Sequence, residues 1–518
     1  MSAHLAIVPV VIPALAGAFL LALASRSIGL RRAIGLVATV LQLVVACVLL
    51  AGSAEGGPVA YLVGDWPAPY GIALVVDRLA ALLLVTTSVV AMFALVYARA
   101  GWDSHGRYFH ALFQFQLMGL AGAFLTGDLF NLFVFFEVLL IASYALLLHG
   151  RGAERVRAAL HYVVLNLVGS SLFLIAASLL YSVTGTLNMA DLAIRVGELA
   201  PRDAALAQSA GLMLLVVFAL KAALFPLYFW LPSAYDAATA PVAALFAIMT
   251  KVGVCAIVRV FVLVFGGEGG LAEAATPWLA ALGIATMLLG ILGALAARRL
   301  ATLVAYVTVS SVGTMLVGVA LFTAPSLSGA LYYMVHSTLT VAALFLLSEI
   351  VAAQRGPAAD HLQPAPALAN PTVLGLVFLL GAASAVGLPP FSGFIGKLMI
   401  LEGTRASTLA PWIWTSVLAT GFIALVGVAR AGSILFWQTV EAGPEAVRGG
   451  FTAGTLGPAL ALSSAAVLMA VFAAPITRFT DAAAAQLLDR DAYVEAVLGP
   501  VGGRAAHTVR PLPGVNQR

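Results

Sequence analysis

Apolar runs close to twenty residues long recur along the whole 518-residue chain. At 1.5 Å per residue, each is long enough to cross the hydrocarbon of a bilayer. Only 9% of the residues are charged and 62% are hydrophobic, against about 25% charged in soluble domains. The expected fold class is an all-α polytopic membrane protein with about fourteen transmembrane helices. They fall at 5–24, 31–52, 78–98, 109–126, 128–148, 158–182, 210–231, 239–265, 277–297, 300–322, 327–350, 372–400, 409–437 and 456–475. The first run has neither a basic n-region nor an obvious small-residue cleavage site, so it is read as a retained helix, with a signal peptide as the alternative.

The connections carry their own signals. Residues 59–77 alternate apolar positions around a Trp-Pro-Ala-Pro turn, the pattern of an extracytoplasmic β-hairpin. Residues 184–208 suit an interfacial amphipathic helix. The tail beyond Pro475 is mixed in charge and ends in a Gly/Pro-containing stretch expected to be disordered. Arginine marks alternate loops, with Arg26, Arg31, Arg32, Arg99, Arg107, Arg151, Arg155, Arg157, Arg298, Arg299, Arg355 and Arg448 on one side. The other side holds mainly Arg78, Arg195, Arg202 and Arg405, with Glu268 and Glu273 making one of its loops acidic, and the tail's five arginines run against the pattern. By the positive-inside rule both termini then lie outside the cytoplasm. The net charge of +4 forms no basic patch for nucleic acid, since the arginines are loop anchors. Cys47 and Cys255 lie far apart within apolar runs with no CxxC or Cys/His cluster, so neither a disulfide nor a metal centre is expected.

Lysine usage is the second strong signal. The chain has three lysines, Lys221, Lys251 and Lys397, all inside apolar segments. A lysine can snorkel to the headgroups, but Lys221 lies about ten residues, roughly 15 Å, from either end of its run. That is more than twice the reach of the side chain. Insertion scales place each central charge at about +2.5 to +3.5 kcal/mol, so such groups need partners, hydration or neutralisation, as the stations of a proton path do.

Helix breakers fall beside two of these lysines. Pro226 follows Lys221 by five residues, and Pro389, Pro390 and Gly393 precede Lys397 in GLPPFSGFIGK. Such breaks are either packing kinks or sites where free backbone groups line a hydrated cavity. The breaks lie five segments apart, which points to two inverted five-helix repeats, segments 4–8 and 9–13, with helices 7 and 12 broken. The domain boundaries that follow are 1–108, 109–265, 277–437 and 456–518.

Glu137 is nine residues past Asp128 and about 14 Å into its helix. It is the one carboxylate well inside a segment, and Lys221 is its natural partner because both belong to the first repeat. Asp128 is placed to cap the helix start or to line an entrance. His336 lies mid-segment with Ser337, Thr338 and Thr340 beside it, a proton relay or a hydrogen-bonded packing residue. Tyr306, Thr308, Ser310 and Ser311 offer hydroxyls for a water wire or for helix packing. Arg259 and Arg430 are read as anchors near segment ends, and Glu349 as an interfacial acid at the cytoplasmic mouth.

The stretches TGDLFNLFVFFEVLLIASY, LHYVVLNLVGSSLFLIAASLLYSVTGTLNMADLA, FALKAALFPLYFWLP, APVAALFAIMTKVGVCAIVRV and GLPPFSGFIGK resemble the antiporter-type subunits of respiratory complex I, membrane-bound hydrogenases and multisubunit cation/proton antiporters. The resemblance covers segments 4–13 in order and is greatest to the D-type subunits of Mrp/Pha antiporters. It implies that Glu137 pairs with Lys221 and that Lys251 and Lys397 continue a polar axis at mid-membrane. It also implies partner membrane subunits in a bacterial cell membrane. Many relatives carry a lysine one turn after the histidine, where this chain has Thr340. The function expected is a subunit of a Na+ or K+/proton antiporter, not an enzyme, with Glu137, Lys221, Lys251, His336 and Lys397 carrying protons and no cofactor or metal. The alternative is a proton-pumping N- or M-type subunit of a NADH–quinone oxidoreductase or hydrogenase. A structural scaffold is the third class, and it has no use for buried titratable groups.

Overall fold

The computed structural model describes residues 3–150, 152–267, 270–440 and 450–499. Arg151, Glu268, Arg448 and the Gly/Pro-containing end of the tail lie outside these residues. The chain begins with α1 (Val8–Ala22) and α2 (Ile28–Glu55), followed by β1 (Val59–Leu62), β2 (Ala73–Val76) and α3 (Arg78–Ala98). The two strands form the expected hairpin, antiparallel with Val59 opposite Val76 and Leu62 opposite Ala73. Next come α4 (Phe109–Leu125), α5 (Leu129–Leu147), α6 (Ala153–Thr184), the short α7 (Met189–Arg195), α8 (Pro201–Ala222), α9 (Trp230–Ala237), α10 (Ala240–Phe246) and α11 (Met249–Leu263). The remainder is α12 (Leu271–Ala296), α13 (Leu300–Val319), α14 (Ala324–Gln354), α15 (Pro371–Val386), α16 (Ser392–Thr404), α17 (Ala410–Phe436), α18 (Ala453–Val471), α19 (Ala473–Leu488) and α20 (Arg490–Leu498).

Eleven spans among the described residues are long and apolar enough to cross a membrane, and α1, α4 and α15 are shorter apolar helices. Together they account for the fourteen expected segments. Three segments are interrupted. Two of these interruptions follow the breakers seen in the sequence, after α8 and after α15. The third, between α10 and α11, divides a run expected to be continuous. Residues 184–208 hold the short α7 and a 3-10 turn at Val196–Glu198, and from Pro201 they already belong to α8. The tail holds two helices that no long apolar run announces, α19 and α20.

Packing sorts the helices by what surrounds them. All fifteen residues of α11 are buried, Lys251 and Arg259 included. A helix enclosed on all sides is apolar on all sides, so a charge on it faces protein and not lipid. The long α14 packs against α10, α13, α16, α18 and α19. Outer helices such as α2 and α17 expose Val44, Leu41, Trp412, Leu418 and Phe422. Asp128 accepts the backbone N–H of Asn131 at 2.8 Å and caps α5, as its position indicated.

Arg259 is not a headgroup anchor. Its guanidinium donates to both carboxylate oxygens of Asp77, one of the bonds being Nη2 to Oδ1 at 3.0 Å, and its Cζ lies 5.3 Å from the Tyr493 ring on α20. The same Asp77 caps α3 through the N–H of Ala80. Nearby, Arg490 donates to the carbonyls of Leu263, Gly266 and Ala193, tying α20 to the ends of α11 and α7. Fork-to-carboxylate geometry offsets the cost of burying both charges.

Breaking a buried pair from one side strands the other charge. Asp77→Asn, which keeps the cap on α3, should cost about 3–5 kcal/mol. The double change Asp77→Asn with Arg259→Met should recover part of that loss. Thermal unfolding of the purified protein checks this, and simple additivity of the two single losses would contradict it.

Candidate functional site

Both expected breaks are built the same way. At the end of α8, Ala223 adopts a left-handed φ of 62°, its N–H bonds the Leu220 carbonyl, and the N–H of Leu224 bonds that of Ala219. At the end of α15, Gly387 has φ 85°, its N–H bonds the Ser384 carbonyl, and the N–H of Leu388 bonds that of Ala383. These are Schellman closures, which satisfy the last carbonyls without water. Alanine in this conformation is uncommon and costs more than glycine. The chain then runs without regular helix to α9 in the first case and to α16 in the second.

Lys221 sits in the last turn of α8, against the break. Its Nζ donates to Asn166 Oδ1 at 3.1 Å and approaches the Asn166 carbonyl at 3.5 Å. The Asn166 amide is held in turn by the Tyr162 carbonyl, 2.9 Å from Nδ2. Glu137, half-buried on α5, accepts a hydrogen bond from the Ser170 hydroxyl. The expected direct contact between Glu137 and Lys221 is therefore not made. Asn166 and Ser170 are one turn apart on α6 and stand between acid and base, although Glu137 remains within electrostatic reach of Lys221. The Phe136 ring, 6.0 Å from Nζ, closes another side.

Neither α6 residue was singled out from the sequence. The signal was there: an asparagine and a serine at i, i+4 inside an apolar run place two polar groups on one face.

Lys251 lies fully buried near the start of α11, just past the interruption that follows α10. Its ammonium meets no protein hydrogen-bond partner among the described residues. Two residues on, Gly253 lets the end of α8 lie directly against α11. A Cβ there would stand 2.4 Å from the Ala222 nitrogen. The two lysine-bearing helix ends are thus brought together through a missing side chain.

His336 sits at the middle of α14, within electrostatic reach of both Lys251 and Lys397. Its Nδ1 lies 2.9 Å from Ser392 Oγ, whose own proton goes to the Ala466 carbonyl at 2.6 Å. A hydroxyl has one proton to give, so the imidazole donates from Nδ1. The lone pair of the neutral ring is then on Nε2, facing Gly393 and the break before α16. Thr340 Oγ1 stands 3.5 Å from Nδ1, too long to compete with Ser392.

Lys397, on α16, reaches back across the second break and donates to the carbonyl of Val386 at 2.6 Å. It lines a small cavity of about 20 Å³ with Ser310, Ser311, Thr314, Tyr333 and Thr420, room for about one water. Of the hydroxyls noted in the sequence, Ser310 and Ser311 reach this cavity, yet both donate to backbone carbonyls, at 3.0 and 2.7 Å. No cluster of metal-ligating side chains occurs among the described residues.

Comparison with known proteins gives the family and the fold. Residues 126–424 match the family model described as NADH:quinone oxidoreductase/Mrp antiporter, TM. The D-type subunit of a probable K(+)/H(+) antiporter from Rhizobium meliloti is 41% identical over 530 residues, spanning 96% of this chain and 97% of that one. The D-type subunit of a Na(+)/H(+) antiporter from Bacillus subtilis is 38% identical over 495 residues, spanning 95% and 99%. Among solved structures, a chain of the Mrp complex from a Dietzia species superposes with a TM-score of 0.88 at 28% identity, covering 96% of this chain and all of that one. A chain of respiratory complex I from Thermus thermophilus with bound NADH gives 0.77 at 29% identity, covering 93% and 99%.

The break before α16 is sterically tight. A Cβ on Gly393 would stand 2.1 Å from the Ser384 carbonyl oxygen and 2.8 Å from His336 Nε2. In an open helix, Gly→Ala stabilises by up to about 1 kcal/mol. Here Gly393→Ala should destabilise, by about 1–3 kcal/mol, because backbone cannot yield as a side chain can. An unchanged or raised unfolding temperature would show that the approach is looser than the structure has it.

Proposed function

We propose, from the premise that this chain belongs to the transmembrane family of NADH:quinone oxidoreductase and Mrp antiporter subunits and within it to the D-type antiporter subunits, that it conducts protons for a multisubunit monovalent cation/proton antiporter. The supporting observation is the row of basic groups through the protein interior. Lys221, Lys251, His336 and Lys397 are held by helix ends, by Gly253 and by Ser392 and not by lipid-facing surface. A scaffold gains nothing from carrying four such groups at the solvation cost each imposes.

The proton route runs from Glu137 and Lys221 through Lys251 and His336 to Lys397. Asn166 and Ser170 separate the first acid from the first base in the arrangement described. When that face of α6 gives way, Glu137 closes on Lys221 and holds it as ammonium. When it returns, Lys221 exchanges the carboxylate for neutral oxygens and passes its proton toward Lys251. The Nε2 lone pair of His336 takes up the proton on the far side, and Lys397 releases it at the second break. Sodium or potassium moves in exchange, with other membrane subunits of the complex as partners in a bacterial cell membrane.

Glu137→Gln and Lys221→Ala should each abolish cation-dependent proton flux in vesicles carrying the assembled complex, while the subunit stays in the membrane. Near-parental flux from either would remove the pair from the route. Loss of assembled subunit would instead make it a structural contact. His336→Ala should reduce flux strongly with assembly intact. Unchanged flux there would show that protons bypass α14.

A further inference from the structure

Glu349 lies near the cytoplasmic end of α14, outside the row of basic groups. One carboxylate oxygen accepts the indole N–H of Trp102, from the turn that follows α3. The other accepts the backbone N–H of Ala240, the first residue of α10, at 3.1 Å. Both of these donors are neutral. A carboxylate accepts up to four hydrogen bonds, and this one lies where two cavities meet. The larger, about 400 Å³, is lined by Glu154, Asp236, Thr239, Arg299, Asp360 and Glu349. The other, about 320 Å³, is lined by Tyr97, His105, Gln354, Thr452 and Glu349. Trp102 lines both, so the Trp102–Glu349 contact is the partition between them.

The indole donor is rigidly mounted. His149 Nε2 lies 2.6 Å from the Trp102 carbonyl, and the Arg155 guanidinium lies 5.4 Å from the indole ring. The next residue, Asp103, takes two bonds from Arg32, at 2.6 and 2.7 Å, and one contact from His110. Burial pushes the Asp103 carboxyl up, but these bonds outweigh it and bring it down to about 2. The Ala240 donor is mounted differently, at the head of a helix that leads to the interruption before Lys251. The Tyr235 hydroxyl, in the same cavity, donates to the Phe246 carbonyl at that interruption at 2.5 Å.

We infer that Glu349 is a positioning residue that exchanges protons with the cytoplasm: ionised, it ties α14 and the Trp102 turn to α10, and protonated, it releases α10 and with it the end of α11 that carries Lys251. This rests on the proton-conducting reading above. A protonated carboxyl presents an O–H, so one of its two N–H partners meets a donor where it had an acceptor. The charged and titratable groups facing it are Glu154 and Arg155 on α6, Asp236 on α9, Arg299 and Asp360 by α13, and Tyr97, His105 and His149 around the Trp102 turn. Arg299 is already shared by Asp236 and Asp360, at 3.1 and 2.9 Å, so it holds those acids in place of Glu349.

The test uses the complete complex in vesicles, with cation-dependent proton flux measured against cytoplasmic-side pH. Glu349→Gln should lose the pH dependence shown by the parent, since an amide cannot alternate between the two states. Trp102→Phe keeps the ring and removes one donor; it should move the profile about one pH unit toward alkaline values. The double variant should match Glu349→Gln alone. A parental profile in assembled Glu349→Gln overturns the inference, and so does a uniform rate loss with the profile unmoved. Should Glu349→Gln fail to assemble, the Trp102→Phe profile decides by the same criterion. Lys251→Ala separates the two levels: surviving flux there removes the proton-conducting reading, whereas lost flux with a parental Glu349→Gln profile removes only the role of Glu349.

Discussion

Backbone groups inside a hydrocarbon slab have no water to bond, and the rest of this structure depends on how that constraint is met at its interrupted helices. A helix that stops at mid-membrane leaves carbonyls without partners. Here α8 and α15 close them with matched left-handed turns, at Ala223 and Gly387, which fold two N–H groups back onto the last turn. Side chains add to the turns. The Val386 carbonyl takes the Lys397 ammonium, and the Leu220 carbonyl accepts a second bond from the Trp230 indole N–H at 3.0 Å. The partial negative charge at a helix C-terminus favours a nearby cation. Interruption and lysine are therefore one device, in which the break supplies the field that tolerates the charge.

That view explains which parts were legible in the sequence. The apolar runs, the breakers at Pro226 and Pro389–Pro390, the three lysines, the hairpin and the Asp128 cap are local patterns, set by a period or by one residue's backbone preference. What escaped is set by residues far apart in the chain. Asp77 and Arg259 are 182 positions apart, and no spacing rule joins a hairpin end to the last turns of a buried helix. The helices α19 and α20 are too polar to stand out as spans, and their place is set by Arg490 and Tyr493 finding partners on α7 and α11. The interruption between α10 and α11 follows no breaker close by, so periodicity passes straight through it.

The acid–base pair shows the same limit at finer scale. Spacing places Glu137 and Lys221 at depth but does not say what lies between them. The intervening face of α6 carries Asn166 and Ser170, each able to accept and donate. Either can solvate a charge without neutralising it. An ion pair formed once and never broken would contribute nothing to transport, while two charges with no intervening polar groups would be costly to separate in so dry a place. Neutral hydrogen-bonding groups between them lower the cost of the separated state.

Of the segments that carry Lys221, Lys251, His336 and Lys397, that of α14 is the uninterrupted one, and its own serines and threonines show why it remains so. Ser337, Thr338 and Ser348 return their hydroxyl protons to carbonyls three or four residues back in the same helix, which satisfies them without opening the ladder. The helix is left a stiff rod carrying His336 at its middle and Glu349 near its C-terminal end, thirteen residues or about 20 Å apart. A rod does not absorb a displacement along its length as a broken helix does at its turn. A change in how Glu349 is held at one end is therefore delivered to the position of His336 against Ser392, or to α10, whichever packing yields more easily. Since His336 is fixed by Ser392 and by the tight approach of Gly393, the yielding partner is α10, a seven-residue helix that ends at an interruption.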